Sequence, residues 1–337
     1  MIGSGEERKQ LRMFSCPGCN AKVFIPGDLP PLATSPCPKC GYHIMMPWQL
    51  KQFELRAFIA AGGNGVVYRA FDTALQREVA LKLMKPEVAK DPNASEAFFR
   101  EARACASLNH TNIIHIYTFD EAEGQKYLVM EIADEGSLDG RIELYKRLPE
   151  LDILDVGIKV GSALNLALKH NLLHRDIKPG NILFNADNEP KLVDFGLARK
   201  AEGEFDPQEE LHGTPYYVAP EKIKREPESF LSDMYSLGAT LYHGVTGHVP
   251  FEAPTAEDVV MAHVNTPLTP PNHVVPEISQ ASSDAIMRAM AKNPADRFQS
   301  YDEFIMNLEA SRSHLLRQQF TENAIAAKSS KGGWWRR

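Results

Sequence analysis

The run His174-Arg175-Asp176-Ile177-Lys178-Pro179-Gly180-Asn181, followed by Asp194-Phe195-Gly196, holds the residue types that phosphoryl transfer uses. That reaction passes through a loose transition state, so it needs positioning and charge neutralisation more than covalent help. A carboxylate must orient the attacking hydroxyl and accept its proton, and oxygen ligands must hold the Mg²⁺ that accompanies a nucleotide. Asp176 offers one carboxylate, Lys178 a cation two residues on, Asn181 an amide and Asp194 a second carboxylate after a short hairpin. An ordinary polar loop would have to reproduce every one of these spacings by coincidence.

These residues need elements to hold them. Apolar periodicity predicts a helix over residues 152–170, which places His174 to Asp176 on the loop behind it. Upstream, residues 53–70 read as strand, glycine-rich turn, strand, the turn being Ala60-Ala61-Gly62-Gly63-Asn64-Gly65-Val66-Val67-Tyr68. Glycines let such a backbone approach phosphates closely. Strand alternation in Val79-Ala80-Leu81-Lys82 puts Lys82 on the face of Ala80, away from Val79 and Leu81. A helix follows over residues 95–108, with Phe98, Ala102, Cys105 and Leu108 toward the core and Glu101 on the same side. A carboxylate there wants a cation, and Lys82 is the candidate. Cys105 reads as a small core residue.

Together the loop, the glycine turn and the lysine strand resemble the catalytic machinery of the eukaryotic-like, bacterial-type Ser/Thr protein kinases, over roughly residues 52–310. The resemblance implies an α+β, two-lobed protein kinase fold, with an antiparallel-sheet N-lobe, a mainly helical C-lobe and ATP between them. It implies that Asp176 orients the substrate hydroxyl, Lys178 sits near the γ-phosphate, and Asn181 and Asp194 hold Mg²⁺. Lys82 would reach the α- and β-phosphates and pair with Glu101. Ile59, Ala60, Gly62, Gly63, Gly65, Val67, Ala80, Met130, Glu131 and Leu183 would line the ATP slot, with Met130 as gatekeeper. Ala60 stands where the family has its first glycine. Lys178 and Thr214 are similar to Ser/Thr-specific members. Glu221 of Ala219-Pro220-Glu221 would pair with Arg297, and Asp233 would brace the catalytic loop.

Family members carrying an arginine before the catalytic aspartate, here Arg175, usually order the next loop by pairing a phosphate with it. Residues 197–213 contain no Ser, Thr or Tyr. Two readings stand. A carboxylate among Glu202, Glu204, Asp206, Glu209 and Glu210 replaces the phosphate, or the loop is a solvated acidic segment unrelated to Arg175.

The first fifty residues carry a different chemistry. Cys16-Pro-Gly-Cys19 and Cys37-Pro-Lys-Cys40 match the spacing of a four-cysteine zinc site, each pair clamping one side of a tetrahedral ion. Four thiolates leave no open position, so such a site is structural. It resembles the small zinc ribbons prefixed to bacterial regulatory proteins. Two disulfides or a thioredoxin-like pair are the alternatives; the missing apolar leader and the missing βαβ context count against them. Gly41 fits the tight turn, residues 25–36 hold four prolines and read as an irregular loop, and Met45-Met46-Pro47-Trp48 ends the ribbon.

With 337 residues, 43% hydrophobic and 24% charged, the composition is that of a soluble globular chain. A net charge of −7 argues against a general nucleic-acid binder. No long apolar run is present, residues 1–11 lack the apolar core of a secretion signal, and the cytoplasm is the expected compartment. The expected domains are a zinc ribbon at 1–50, a kinase catalytic domain at 51–310 and a C-terminal helix and basic tail at 311–337. Trp334-Trp335-Arg336-Arg337 would suit a membrane interface, a plain end or the boundary of a truncated chain. The expected function is ATP- and Mg²⁺-dependent transfer to Ser or Thr of protein substrates, with Zn²⁺ in the ribbon, which could also dock a protein partner. A nucleotide-binding scaffold acting through the ribbon is the runner-up. Such scaffolds usually lack one of Lys82, Glu101, Asp176, Asn181 and Asp194, and all five stand here. A nucleic-acid role for the ribbon fits poorly with its few basic residues.

Overall fold

In the computed structural model, residues 11–62, 65–90, 96, 102–103, 106–195, 199–200 and 214–331 are described, the backbone alone at 199–200 and 322–331. Glu101, Cys105, Gly63, Gly196 and the acidic residues 202–210 lie outside them. The chain divides into two compact units, Met1–Phe98 with Ile116–Ile132, and Phe99–His115 with Ala133–Arg337.

The first unit begins with two small hairpins, β1 (Leu11–Ser15) with β2 (Lys22–Pro26) and β3 (Thr34–Pro36) with β4 (His43–Met45). Each cysteine pair forms a tight turn of the same design. The N–H of Asn20 donates to the Cys16 carbonyl at 2.8 Å, and that of Gly41 to the Cys37 carbonyl at 2.9 Å. Both residues have positive φ, 54° and 78°, a conformation that glycine takes freely and asparagine tolerates. The proline-rich stretch is less irregular than its composition predicts, because Thr34–Pro36 pairs with β4. Proline is acceptable there since it stands at the end of a short edge strand.

Next comes a six-stranded antiparallel sheet in the order β5-β6-β7-β8-β10-β9. Its strands are β5 (Trp48–Leu50), β6 (Phe53–Ala61), β7 (Gly65–Asp72), β8 (Arg77–Met84), β9 (Ile116–Ala122) and β10 (Gln125–Met130). Val79, Leu81 and Leu83 point to one side and join Leu50, Phe53, Leu55, Ala70, Tyr127 and Val129 in a buried core. The hairpin region contributes to that core through buried Met45, with Leu32 and Trp48 packed against it. Met46, the next residue, turns the other way into a separate small core with Cys16, Val23, Ile25, Cys37 and Ile44. Alternation along an extended segment therefore ties two cores together through adjacent methionines.

The second unit is mainly helical: Leu138–Tyr145, Glu150–Lys169, Phe230–Thr246, Ala256–Asn265, Gln280–Ala289 and Tyr301–Lys331. Side-chain caps open several of them. Ser137 accepts from Gly140 N–H, Thr255 from Asp258 N–H and Ser279 from Ser282 N–H, and Ser229 forms a capping box with Ser232. Gly157 lets the helix Glu150–Lys169 sit close to its neighbours: a Cβ there would come within 2.8 Å of Leu241 and Leu308. Phe230–Thr246 ends at Gly247, whose φ of 78° and contact with the Lys146 carbonyl admit no side chain. No helix among the described residues is long and apolar enough to cross a membrane.

Candidate active site

In the second unit, the helix Glu150–Lys169 leads through β11 (Leu172–Leu173) into the loop His174 to Lys178. A 3-10 turn over Pro179–Asn181 and the hairpin of β12 (Ile182–Phe184) and β13 (Pro190–Leu192) then bring the chain back to Asp194. Val193 N–H donates to the Asn181 carbonyl at 3.0 Å, closing the hairpin beside the loop.

Asp176 is the meeting point. Its Oδ2 accepts from Lys178 Nζ at 2.7 Å and from Asn181 Nδ2 at 2.9 Å, while Asn181 Nδ2 also donates to the Asp176 carbonyl at 2.8 Å. Thr214 lines the same small cleft as Asp176 and Lys178. His174 is fully buried and forms the floor. Its Nε2 donates to the Val193 carbonyl at 3.0 Å and its Nδ1 accepts from Asp176 N–H at 3.3 Å, which fixes the orientation of the ring. Its ring lies 4.6 Å from that of Phe195. The loop therefore has hydrogen bonds on both sides of the Asp176 carboxylate.

Two further constraints come from the helix Phe230–Thr246. Asp233, 3% exposed, accepts from the backbone N–H groups of His174 and Arg175, each at 2.7 Å. Burial pushes its carboxyl up, against the pull of those donors. Arg175 has a φ of 70° and Asp194 one of 66°, so both sit in the left-handed region that costs ordinary residues energy. Asp233 helps hold the first of them. Glu221 receives a bidentate pair from Arg297, at 2.7 and 2.8 Å, and a hydrogen bond from Ser232 at 2.6 Å. Burial opposes charge on Glu221, but Arg297 and Ser232 outweigh it and hold the carboxyl below its ordinary value.

Sequence reasoning missed Glu228 as one partner of Arg175. Its Nη2 and Nε donate to Glu228 Oε1 at 2.5 and 3.1 Å. Lys222 Nζ donates to the Arg175 carbonyl at 3.2 Å and lies 3.9 Å from Glu228 Oε2. Glu228 is 53 residues from Arg175, and no local spacing points to it.

In the first unit, cross-strand register gathers the nucleotide candidates. Ala60 opposes Val67, Val67 opposes Lys82, and Ala80 opposes Met130. Directly opposed residues share a face, so these five lie on the side of the sheet away from Val79, Leu81 and Leu83. Ile59 falls at a β-bulge, and Glu131 follows the end of β10. Gly62 N–H donates to the Gly65 carbonyl at 2.9 Å, and a Cβ on Gly65 would meet the Leu83 carbonyl at 2.5 Å. Leu183 belongs to the second unit, on β12 opposite Lys191.

The four cysteine sulfurs of the hairpins lie within 4.8 Å of one another, with Cys16–Cys40 at 3.6 Å and Cys19–Cys37 at 3.9 Å. A tetrahedron of sulfurs about 2.3 Å from a central ion has edges of about 3.8 Å, so the cluster is zinc-sized. Burial tends to raise the Cys37 thiol, yet the N–H groups of Lys39 and Cys40 and the nearby sulfurs bring it down to about 7. Cys40 goes up to about 12, burial and its three sulfur neighbours outweighing the Tyr42 N–H. Four packed thiols cannot all ionise without a cation among them.

A family model described as "Protein kinase domain" matches residues 53–307. A probable serine/threonine-protein kinase of Clostridium acetobutylicum is 32% identical over 273 residues, which is 80% of this chain and 42% of the relative. The serine/threonine-protein kinase PknA of Mycobacterium tuberculosis is 36% identical over 268 residues, 78% of this chain and 62% of the relative. PknB of Mycobacterium leprae is 33% identical over 263 residues, 76% of this chain and 42% of the relative. The chain thus spans less than two thirds of the length of these curated relatives.

Proposed function

We propose, the chain belonging to the protein kinase family, that it transfers the γ-phosphoryl group of ATP to serine or threonine side chains of protein substrates. One observation carries the reading: Asp176 receives Lys178 and Asn181 on a single carboxylate oxygen within a loop that Asp233 holds by two N–H groups. Asp176 orients the acceptor hydroxyl and takes its proton. Lys178 sits where it can balance charge on the moving phosphoryl group. On the sheet of the first unit, Lys82 serves the α- and β-phosphates while Val67, Ala80 and Met130 face the adenine, as do Ile59 and Glu131. The turn from Ala60 through Gly62, Gly63 and Gly65 covers the phosphates, and Glu101 is assigned as the Lys82 partner.

The amide nitrogen of Asn181 is committed to Asp176, so its Oδ1 is the atom left for a hard cation, and Asp194 directly follows Val193, whose N–H is bonded to the Asn181 carbonyl. These two residues would hold Mg²⁺, which when bound neutralises charge on the transferring phosphates. Cys16, Cys19, Cys37 and Cys40 would hold Zn²⁺ in a closed structural site. A chain with reduced thiolate ligands belongs in a reducing compartment, and the cytoplasm is the assignment.

The test is incubation with γ-labelled ATP, Mg²⁺ and a generic protein substrate, followed by phosphoamino-acid analysis. Label on serine and threonine is expected. Label confined to tyrosine, or ATP binding without transfer, contradicts the reading.

A further inference from the structure

We infer that Glu228 is a built-in counter-ion for Arg175 and a positioning residue for the catalytic loop, so that the loop is set without a phosphate on the segment that follows Asp194. The inference rests on the kinase reading for its consequence but on geometry for its content. Arg175 is locked next to Asp176 in a left-handed conformation, with its N–H gripped by Asp233. Its guanidinium points at Glu228 with two donors on Oε1. The two side chains are 11% and 12% exposed, and charges this far from water need an opposite charge beside them. Lys222, 10% exposed on its side chain, adds a second cation to the same pocket. Glu228 lies between the two cations.

Its place in the chain matters as much. Glu228 directly precedes Ser229, the N-cap of the helix Phe230–Thr246, and Asp233 sits in that helix's first turn. One helix start therefore holds Arg175 twice, by its backbone through Asp233 and by its side chain through Glu228. The sequence removes the usual competitor: residues 195–213 offer no hydroxyl to phosphorylate. A carboxylate already seated on a helix terminus does what an added phosphate would otherwise do, and it does so constitutively.

The test is a steady-state comparison of the wild type, Glu228→Gln and Glu228→Asp in the full chain, after phosphatase treatment, with hydrogen exchange measured at His174 to Lys178. Expected are a kcat lower by tenfold or more in Glu228→Gln, a KM for ATP within twofold, faster exchange in the loop, and recovery of at least half the kcat in Glu228→Asp. The phosphatase-treated wild type should keep its activity. An unchanged kcat in Glu228→Gln, or activity that requires phosphate on Thr214, overturns the inference. If the wild type transfers no phosphate, the kinase reading fails, and exchange alone decides: unchanged protection in Glu228→Gln overturns the positioning role.

Discussion

Asp176, Lys178 and Asn181 show how much chemistry six consecutive positions can fix. Their spacing brings two donors to one Asp176 oxygen within a single short loop, which is why the sequence exposes them. Glu221 and Arg297 are separated by 76 residues, and only the family resemblance joins them before the structure does. Their side chains are 4% and 0% exposed, so removing one partner strands a buried charge. Arg297→Met should cost about 3–5 kcal/mol in urea unfolding at neutral pH; a loss under about 1 kcal/mol would contradict that account. The pH slope adds a signature. In the wild type the Glu221 carboxyl is lowered, so its contribution is present above the ordinary carboxylate range and is lost as pH falls through the lowered value. Without Arg297 the main opposing charge is gone and burial outweighs the remaining Ser232 hydrogen bond, raising that carboxyl, so the variant should instead lose stability as pH climbs through the carboxylate range.

Among elements, the strands and hairpins around the glycine turn were legible because alternation and glycine placement are local signals. Apolar periodicity predicts a helix over residues 95–108, and Glu101 in that range falls outside the described residues. The proline-rich stretch 25–36 came out differently, since Thr34–Pro36 is a strand. Proline content marks where a helix or strand stops, and short elements fit between such marks. The contact between the hairpins and the sheet had no sequence signal, since Met45 and Met46 look alike and only alternation sends them into different cores. Met45→Ala should therefore destabilise the sheet unit by about 2–5 kcal/mol, as truncation of a buried methionine does. Thermal unfolding with Met46→Ala as the companion variant checks it, and loss of under about 0.5 kcal/mol would place Met45 outside the shared core.

For the molecule, the cysteine hairpins are part of the first unit's architecture: Met45 of β4 and Leu32, between the hairpins, pack on the core behind β8. Whatever holds the four sulfurs together thus supports the strand that carries Lys82. Metal chelation should lower the unfolding midpoint of the full chain by about 3 °C or more, reversed by Zn²⁺, while cysteine-free controls stay put. The same sheet presents Ala60, Val67, Ala80, Lys82 and Met130 on its opposite face, and the helical unit presents Asp176 with its two donors. The account stands or falls on Asp176 acting in the transfer step and not in nucleotide binding. The most direct measurement pairs ATP affinity with turnover for the wild type and Asp176→Asn under saturating Mg²⁺. ATP affinity within about threefold and turnover lower by about a hundredfold or more is the predicted result, the size expected for loss of a positioned base; equal turnover in the two proteins would contradict it.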